Sequence, residues 1–225
     1  MRKFFPYAVA IFLVMQLPCS RLLAADGANI QQIAEAVDSH YNKLVTLQTD
    51  FVESYRGQGL NRGESGTLWL KKPGKMRWDY REPRQKLFVS DGRDAWFYVP
   101  GDHQVRKTQV KKIDDLRSPL RYLLGKTKLM KEFEGLSLAP DKAASNPGNL
   151  VLRGVPRGMG DRISQVMLEI NPERMIERIS IEETDGSITE FRFRNQKENL
   201  AVAETRFVFT PPEGVEVVEM QDMAP

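Results

Sequence analysis

The sequence predicts a mainly β, α+β fold: one curved antiparallel sheet of about eleven strands, with two helical segments available to cover it. Three observations carry this expectation. Gly66 to Pro100 reads as four short β-type runs broken at Pro73-Gly74, Pro83 and Asp91-Gly92. Strand-like alternation then recurs further on, as in Ile163–Ile170, where Val166, Leu168 and Ile170 share one face. Helical spacing is confined to two stretches, Asn29–Leu47 and Asp114–Met130.

Taken in order, Ile30, Ile33, Val37, Tyr41 and Leu44 recur three and four apart, one stripe of an amphipathic helix with Gln31, Glu35, Asp38 and Lys43 turned outward. Phe51–Arg56 and Ser65–Lys71 read as a hairpin with a long connection through Gly57-Gln58-Gly59. The aromatic runs follow, then a strand over His103–Val110. Leu116, Leu120, Leu123 and Leu124 have helical spacing, with Ser118-Pro119 as start signal and Gly125 as stop. Strands resume at Leu136–Leu138, Leu150–Val155 and Ile163–Ile170. Met175–Glu183 and Ile188–Arg194 flank Thr184-Asp185-Gly186, a hairpin turn signal, and Glu204–Phe209 completes the set before Pro211-Pro212. No repeat of fixed period divides the chain, so residues 26–225 are expected to form a single domain.

Residues 1–25 read as a cleaved export signal. Arg2 and Lys3 supply the basic start and Tyr7–Leu17 an apolar core, too short to span a bilayer comfortably; cleavage is expected after Ala25. The single cysteine, Cys19, lies inside that signal, and Gln16-Leu17-Pro18 before it lacks the small residue that a lipidation site needs. The remaining chain of about 200 residues then has no disulfide or thiolate and is held by its core alone. Charge is uneven along it. Basic side chains outnumber acidic ones over residues 26–130, and the reverse holds over 131–225, a distribution suited to docking charged partners. Scattered lysines without an aromatic nucleic-acid motif exclude a nucleic-acid reader.

Catalysis finds no foothold. The two histidines are His40, read as a helix-surface residue, and His103, read as a loop residue, and nothing local points to a His-centred hydrolase site at either. Adjacent acids such as Glu182-Glu183 point to opposite faces of a strand, and Gly158-Met159-Gly160 lacks the spacing of a phosphate loop. No catalytic residue, metal or cofactor is expected. What remains is apolar. Met76, Trp78 and Tyr80 share one face of their strand and Leu68 and Leu70 one face of theirs, with Lys72 at its end. The three tryptophans, Trp69, Trp78 and Trp96, fall one to a run and are expected to form a broad apolar wall. A lysine at the rim of such a wall lays its methylenes on it and holds its ammonium out. The wall can serve as an ordinary core under the helices or enclose a ligand.

These residues resemble the LolA family of periplasmic lipoprotein carriers. The matching pieces are Gly66-Thr-Leu-Trp-Leu-Lys-Lys-Pro73, Trp78, Val89-Ser-Asp-Gly92, Trp96-Phe-Tyr-Val-Pro100 and Phe207-Val-Phe-Thr-Pro-Pro-Glu-Gly-Val215. The resemblance implies an incomplete antiparallel barrel of about eleven strands closed by a helical lid, with lipid acyl chains taken inside. It implies a monomer in the periplasm of a Gram-negative bacterium that receives lipoproteins from an inner-membrane LolCDE-type ABC exporter and delivers them to the outer-membrane acceptor LolB. Leu68, Leu70, Met76, Trp78, Tyr80 and Trp96 are then the residues expected against acyl chains, and Lys72 the gating residue of the lid. The family carries arginine before this proline, bonded to lid carbonyls. Lys72 keeps the charge and loses the planar fork, so closure is expected to be looser or held differently. Two other roles fit the same half-barrel: a periplasmic lipid or lipoprotein sensor, which usually has a second domain, and a LolB-like acceptor, which needs a lipidated cysteine.

Overall fold

The computed structural model describes residues 21–110, 121–124 and 128–219, with side chains described except at 21–28, 121 and 124. The expected signal segment through Ser20, Cys19 included, lies outside the described residues, as do Leu116, Ser118-Pro119, Leu120 and Gly125 of the expected helical insertion. Helix α1 (Arg21–Lys43) begins before the expected cleavage point at Ala25 and leads into β1 (Thr46–Gly57) and β2 (Leu60–Lys71). Then come β3 (Lys75–Glu82), β4 (Lys86–Asp91), β5 (Asp94–Tyr98) and β6 (Gln104–Gln109), and two short helices, α2 (Arg121–Leu124) and α3 (Leu129–Glu132). The chain continues through β7 (Phe133–Leu138), β8 (Leu150–Pro156), β9 (Ile163–Ile170), β10 (Ile176–Glu183) and β11 (Ile188–Glu198) to β12 (Glu216–Glu219).

The strands form one open sheet of twelve, in the order β12-β6-β5-β4-β3-β2-β1-β11-β10-β9-β8-β7. Neighbours are antiparallel except β12, which lies parallel to β6. Short turns explain most of the order, because an antiparallel neighbour needs only a hairpin. The long step is β1 beside β11, which joins the two meanders into one curved layer.

Two expectations are corrected. The β1–β2 connection is a tight two-residue turn rather than a long loop. Gln58 (φ 49°) and Gly59 (φ 76°) both adopt the left-handed conformation, whose twist matches that of the flanking strands, so pairing runs out to Gly57 and Leu60. The expected strand Glu204–Phe209 is a short 3-10 helix, Glu204–Phe207. It crosses the outer face of strands that already have partners on both sides, so no sheet edge is open to it. The chain instead reaches the free edge of β6 later, as the unpredicted β12.

The inner face of the sheet holds the core. The stripe Ile30, Ile33, Ala34, Val37 and Tyr41 of α1, with Leu44 just past its end, is buried with Leu68, Trp78, Phe88, Leu152, Leu168, Ile179 and Phe193 in one cluster, joined by Tyr122 and Leu123 of α2 and Leu129 of α3. The helix forms because that stripe keeps the 3.6-residue period, and it persists because the stripe has a wall to meet. A second apolar layer lies on the outer face, where Phe207 of the C-terminal segment is buried, as are Val89 and Val105.

Candidate functional site

The inner wall is built in rows by the strand register. One row runs Leu68, Trp78, Phe88 and Phe97 across β2 to β5. The next runs Leu47, Leu70, Met76, Ser90 and Ala95, toward the Lys72 end. On the other side lies Phe51, Gly66, Tyr80 and Lys86. Gly66 is required there, since a Cβ would stand 2.0 Å from the Asp79 carbonyl oxygen and 2.9 Å from Cε1 of Phe51. Its missing side chain lets Phe51 pack edge-on against both Trp78, at 4.8 Å between ring centroids, and Tyr80, at 5.0 Å.

Leu68, Leu70, Met76, Trp78 and Tyr80 are thus brought onto one wall, all buried except the partly buried Met76. Trp96 is not with them. It aligns with Val89 and, through Arg77, with Trp69, on the opposite face. There Trp96 meets Phe209 at 5.7 Å and carries the Lys107 ammonium over its ring at 4.9 Å. Trp69 lies under the Arg206 guanidinium at 4.1 Å. The expected wall of three tryptophans is therefore split by strand alternation, one inward and two outward, the outward pair packing the C-terminal segment.

The wall changes character along its strands. Below the Trp78 row, the Tyr80 hydroxyl donates to Glu53 at 3.1 Å, Lys86 binds Glu64, and the Lys86 ammonium sits 4.4 Å from the centre of the Tyr80 ring. That end is polar and internally paired; the Leu70–Met76 end is apolar.

Polar contacts hold α1 in place, those of Lys72, His40 and Asp38 at its edges and that of Tyr41 within the core. Lys72 Nζ donates to the carbonyl oxygens of Tyr41 at 2.5 Å and Asn42 at 3.1 Å, in the last turn of the helix. A cation at a helix C-terminus both satisfies carbonyls that lack helical partners and complements the helix dipole. The Tyr41 hydroxyl accepts the Ile176 N–H at 2.8 Å, and burial pushes its phenol well above the usual tyrosine range. His40 meets Glu198 of β11 at 2.7 Å, and the Asp38 carboxylate accepts the Leu129 N–H of α3 at 3.0 Å. His40, expected on the helix surface, is therefore a contact between α1 and the sheet. The sequence carries no local signal for it, because the partner lies far along the chain.

On the outer face, Glu169 is fully buried and anchors the loop between β7 and β8. Burial pushes its carboxyl up, but hydrogen bonds from Asn149 and Ser145 and the charge of Arg178 outweigh that and hold it below the usual range. Arg178 reaches it at 2.7 Å. Glu204, between Lys71 and Lys75, is held down to about 2 by their hydrogen bonds, which tie the C-terminal segment to the sheet. Among the described residues no group of three or more His, Cys, Asp or Glu is placed to hold a metal ion.

An open antiparallel sheet whose aromatic inner wall lies under a perimeter-clamped helix defines a class, the lidded half-barrels. Residues 42–210 match the model of the family described as outer membrane lipoprotein carrier protein LolA, and the chain belongs to that family. It is 30% identical over 175 residues to an outer-membrane lipoprotein carrier protein of Chromobacterium violaceum, covering 77% of this chain and 81% of that one. It is 28% identical over 178 residues to the carrier of Nitrosospira multiformis, covering 77% and 82%. Against the carrier of Salmonella typhi it is 24% identical over 207 residues, covering 90% and 96%. The fold is similar to an uncharacterized conserved protein of Thermus thermophilus (TM-score 0.52, 14% identity, covering 85% of this chain and 99% of that one). It is also similar to the lipoprotein LppX of Mycobacterium tuberculosis (TM-score 0.51, 12% identity, covering 78% and 98%).

Proposed function

We propose that the protein carries lipoproteins through the periplasm, taking them from an inner-membrane LolCDE-type ABC exporter and passing them to an outer-membrane acceptor of the LolB kind. The acyl chains replace the α1 stripe on the Leu68–Leu70–Met76–Trp78–Tyr80 wall, and Lys72 takes part in the gate. The observation that carries this reading is the division of labour over the wall. The contacts under α1 are mainly apolar, with one buried hydrogen bond from Tyr41 among them, and those from Lys72, His40 and Asp38 are polar and lie at its edges. Polar contacts exchange readily with water, whereas an exposed apolar wall needs an apolar replacement. A chain of ~16 carbons gains roughly 12 kcal/mol on burial, at about 0.8 kcal/mol per CH₂, so release through water is too slow for transport. Handover must run from wall to wall during docking, and a lid that closes as the guest leaves assists it.

The test is reconstitution. Vesicles bearing the exporter and a labelled lipoprotein are mixed with ATP and the purified protein, and soluble lipoprotein–carrier complex is measured, followed by transfer to acceptor-bearing membranes. Release in proportion to added protein is expected. Lipoprotein that stays in the vesicle fraction at every protein concentration contradicts the proposal.

A further inference from the structure

Trp78 carries a polar group that the core does not use. Its indole is 2% exposed, and among the described residues its Nε1 is a buried side-chain donor without a hydrogen-bond partner. A buried N–H in that state costs about 1–3 kcal/mol, and native interiors seldom keep one without a use. Packing does not require it, since Phe88 and Phe97 fill the same row with hydrocarbon alone. The surrounding rings, Phe51 at 4.8 Å and Phe191 at 5.9 Å between centroids, offer only a π face, a weaker acceptor than a carbonyl oxygen.

We propose that the Trp78 indole N–H is the hydrogen-bond donor for a glyceryl-ester carbonyl at the head of a bound acyl chain, an inference that rests on the carrier reading above. Hydrocarbon cannot accept the bond, so the donor selects acyl esters over alkyl chains of equal length. The wall fixes the orientation. Tyr80, Glu53, Lys86 and Glu64 make the neighbouring row polar, and Leu70 and Met76 make the row on the other side apolar. Rows on one face are two residues apart, about 7 Å. A lipid whose polar head lies at the Tyr80–Lys86 row and whose tail runs over Leu70 and Met76 sets its ester at the depth of Trp78. In the polar row Tyr80 is bonded to Glu53 and Lys86 is paired with Glu64, and the donor at the depth of the ester is Trp78.

The test compares wild type with Trp78→Phe, which keeps an aromatic ring and removes the donor. The probes are a synthetic dipalmitoyl-glyceryl-cysteine peptide, its dialkyl-ether twin, and dipalmitoyl phosphatidylglycerol. Wild type is expected to prefer the diester peptide over the diether by about tenfold, and Trp78→Phe to bind both alike. In wild type the Trp78 indole N–H resonance is expected to move downfield with the diester and not with the diether, a readout that stands even if the variant folds poorly. The same shift with phosphatidylglycerol assigns the site to glyceryl esters in general, and a shift with the peptide alone assigns it to lipoprotein. Equal wild-type affinity for diester and diether with an unmoved indole signal overturns the inference and leaves the carrier reading intact. Failure of wild type to bind any of the three probes overturns the carrier reading itself.

Discussion

Replacing Lys72 with leucine removes the donor that reaches the Tyr41 and Asn42 carbonyls at 2.5 and 3.1 Å. The Asn42 contact is exposed, so water takes the place of the ammonium there at little cost. The Tyr41 contact is partly buried and its loss is worth about 1 kcal/mol. Removing a cation from the last turn of α1 costs about 0.3–1 kcal/mol more. The total is about 1–2 kcal/mol, a roughly 10- to 30-fold shift of the closed–open balance of α1 toward open. Global stability falls by no more than the same amount, because the apolar stripe of α1 keeps its wall. On the proposed carrier reading, an open lid should still accept cargo but lack the closing free energy that helps expel it, so cargo is expected to accumulate on Lys72→Leu and transfer to the acceptor to slow. Lys72→Arg, which restores a charged donor with a planar fork, is expected to transfer normally. The assay pairs cargo transfer with thermal unfolding and with hydrogen exchange of the amides in the Lys72–Tyr41 region. Wild-type transfer and unchanged exchange in Lys72→Leu would falsify the gating role.

Further outcomes follow from the same geometry. Gly66→Ala places a methyl group 2.0 Å from the Asp79 carbonyl oxygen and is expected to destabilise by about 3 kcal/mol, read as a lower urea midpoint; a midpoint equal to wild type contradicts the close packing of β2, β3 and Phe51. Glu169→Ala strips Arg178 of a fully buried partner and removes the acceptor of the Ser145 backbone N–H and one acceptor of Asn149, for an expected loss of about 3 kcal/mol and faster proteolysis in the loop between β7 and β8. The Glu204 carboxyl is lowered from 4.5 to about 2, so its hold on the C-terminal segment is full above pH 4.5 and is lost as pH falls from there toward 2. Tryptophan fluorescence should report movement of that segment over this range, and Glu204→Gln should show the acid-like signal already at neutral pH; a wild-type signal flat through the window removes the latch.

The elements themselves were legible because they rest on local periodicity. The stripe Ile30 to Leu44 has one helical phase, and all five residues named for it are buried. Val166, Leu168 and Ile170 alternate as expected, and Ile163–Ile170 forms β9 with the expected bounds. Leu68, Leu70, Trp78 and Tyr80 could be assigned to common faces because residues two apart in a strand point the same way. The same rule says nothing about which face of one strand continues which face of the next, and so Trp96 was placed with Trp78. That choice depends on register, and the pairs Trp78–Phe88 and Val89–Trp96 set it.

What the sequence alone determined is the local inventory: helix and strand periods, the aromatic runs, and the motifs that mark the family. Tertiary structure alone decided which surfaces meet. Gln58 could take a left-handed turn only as the β1–β2 register closed around it. Glu204–Phe209 has a strand's alternation but no free edge beside it, so it became a bracket across the outer face. His40 and Glu198, and Lys72 and the end of α1, are brought together by a helix returning over a sheet. Contacts between distant positions follow from how whole faces pack, a global minimum over many weak apolar contacts, and no short window of sequence encodes that sum.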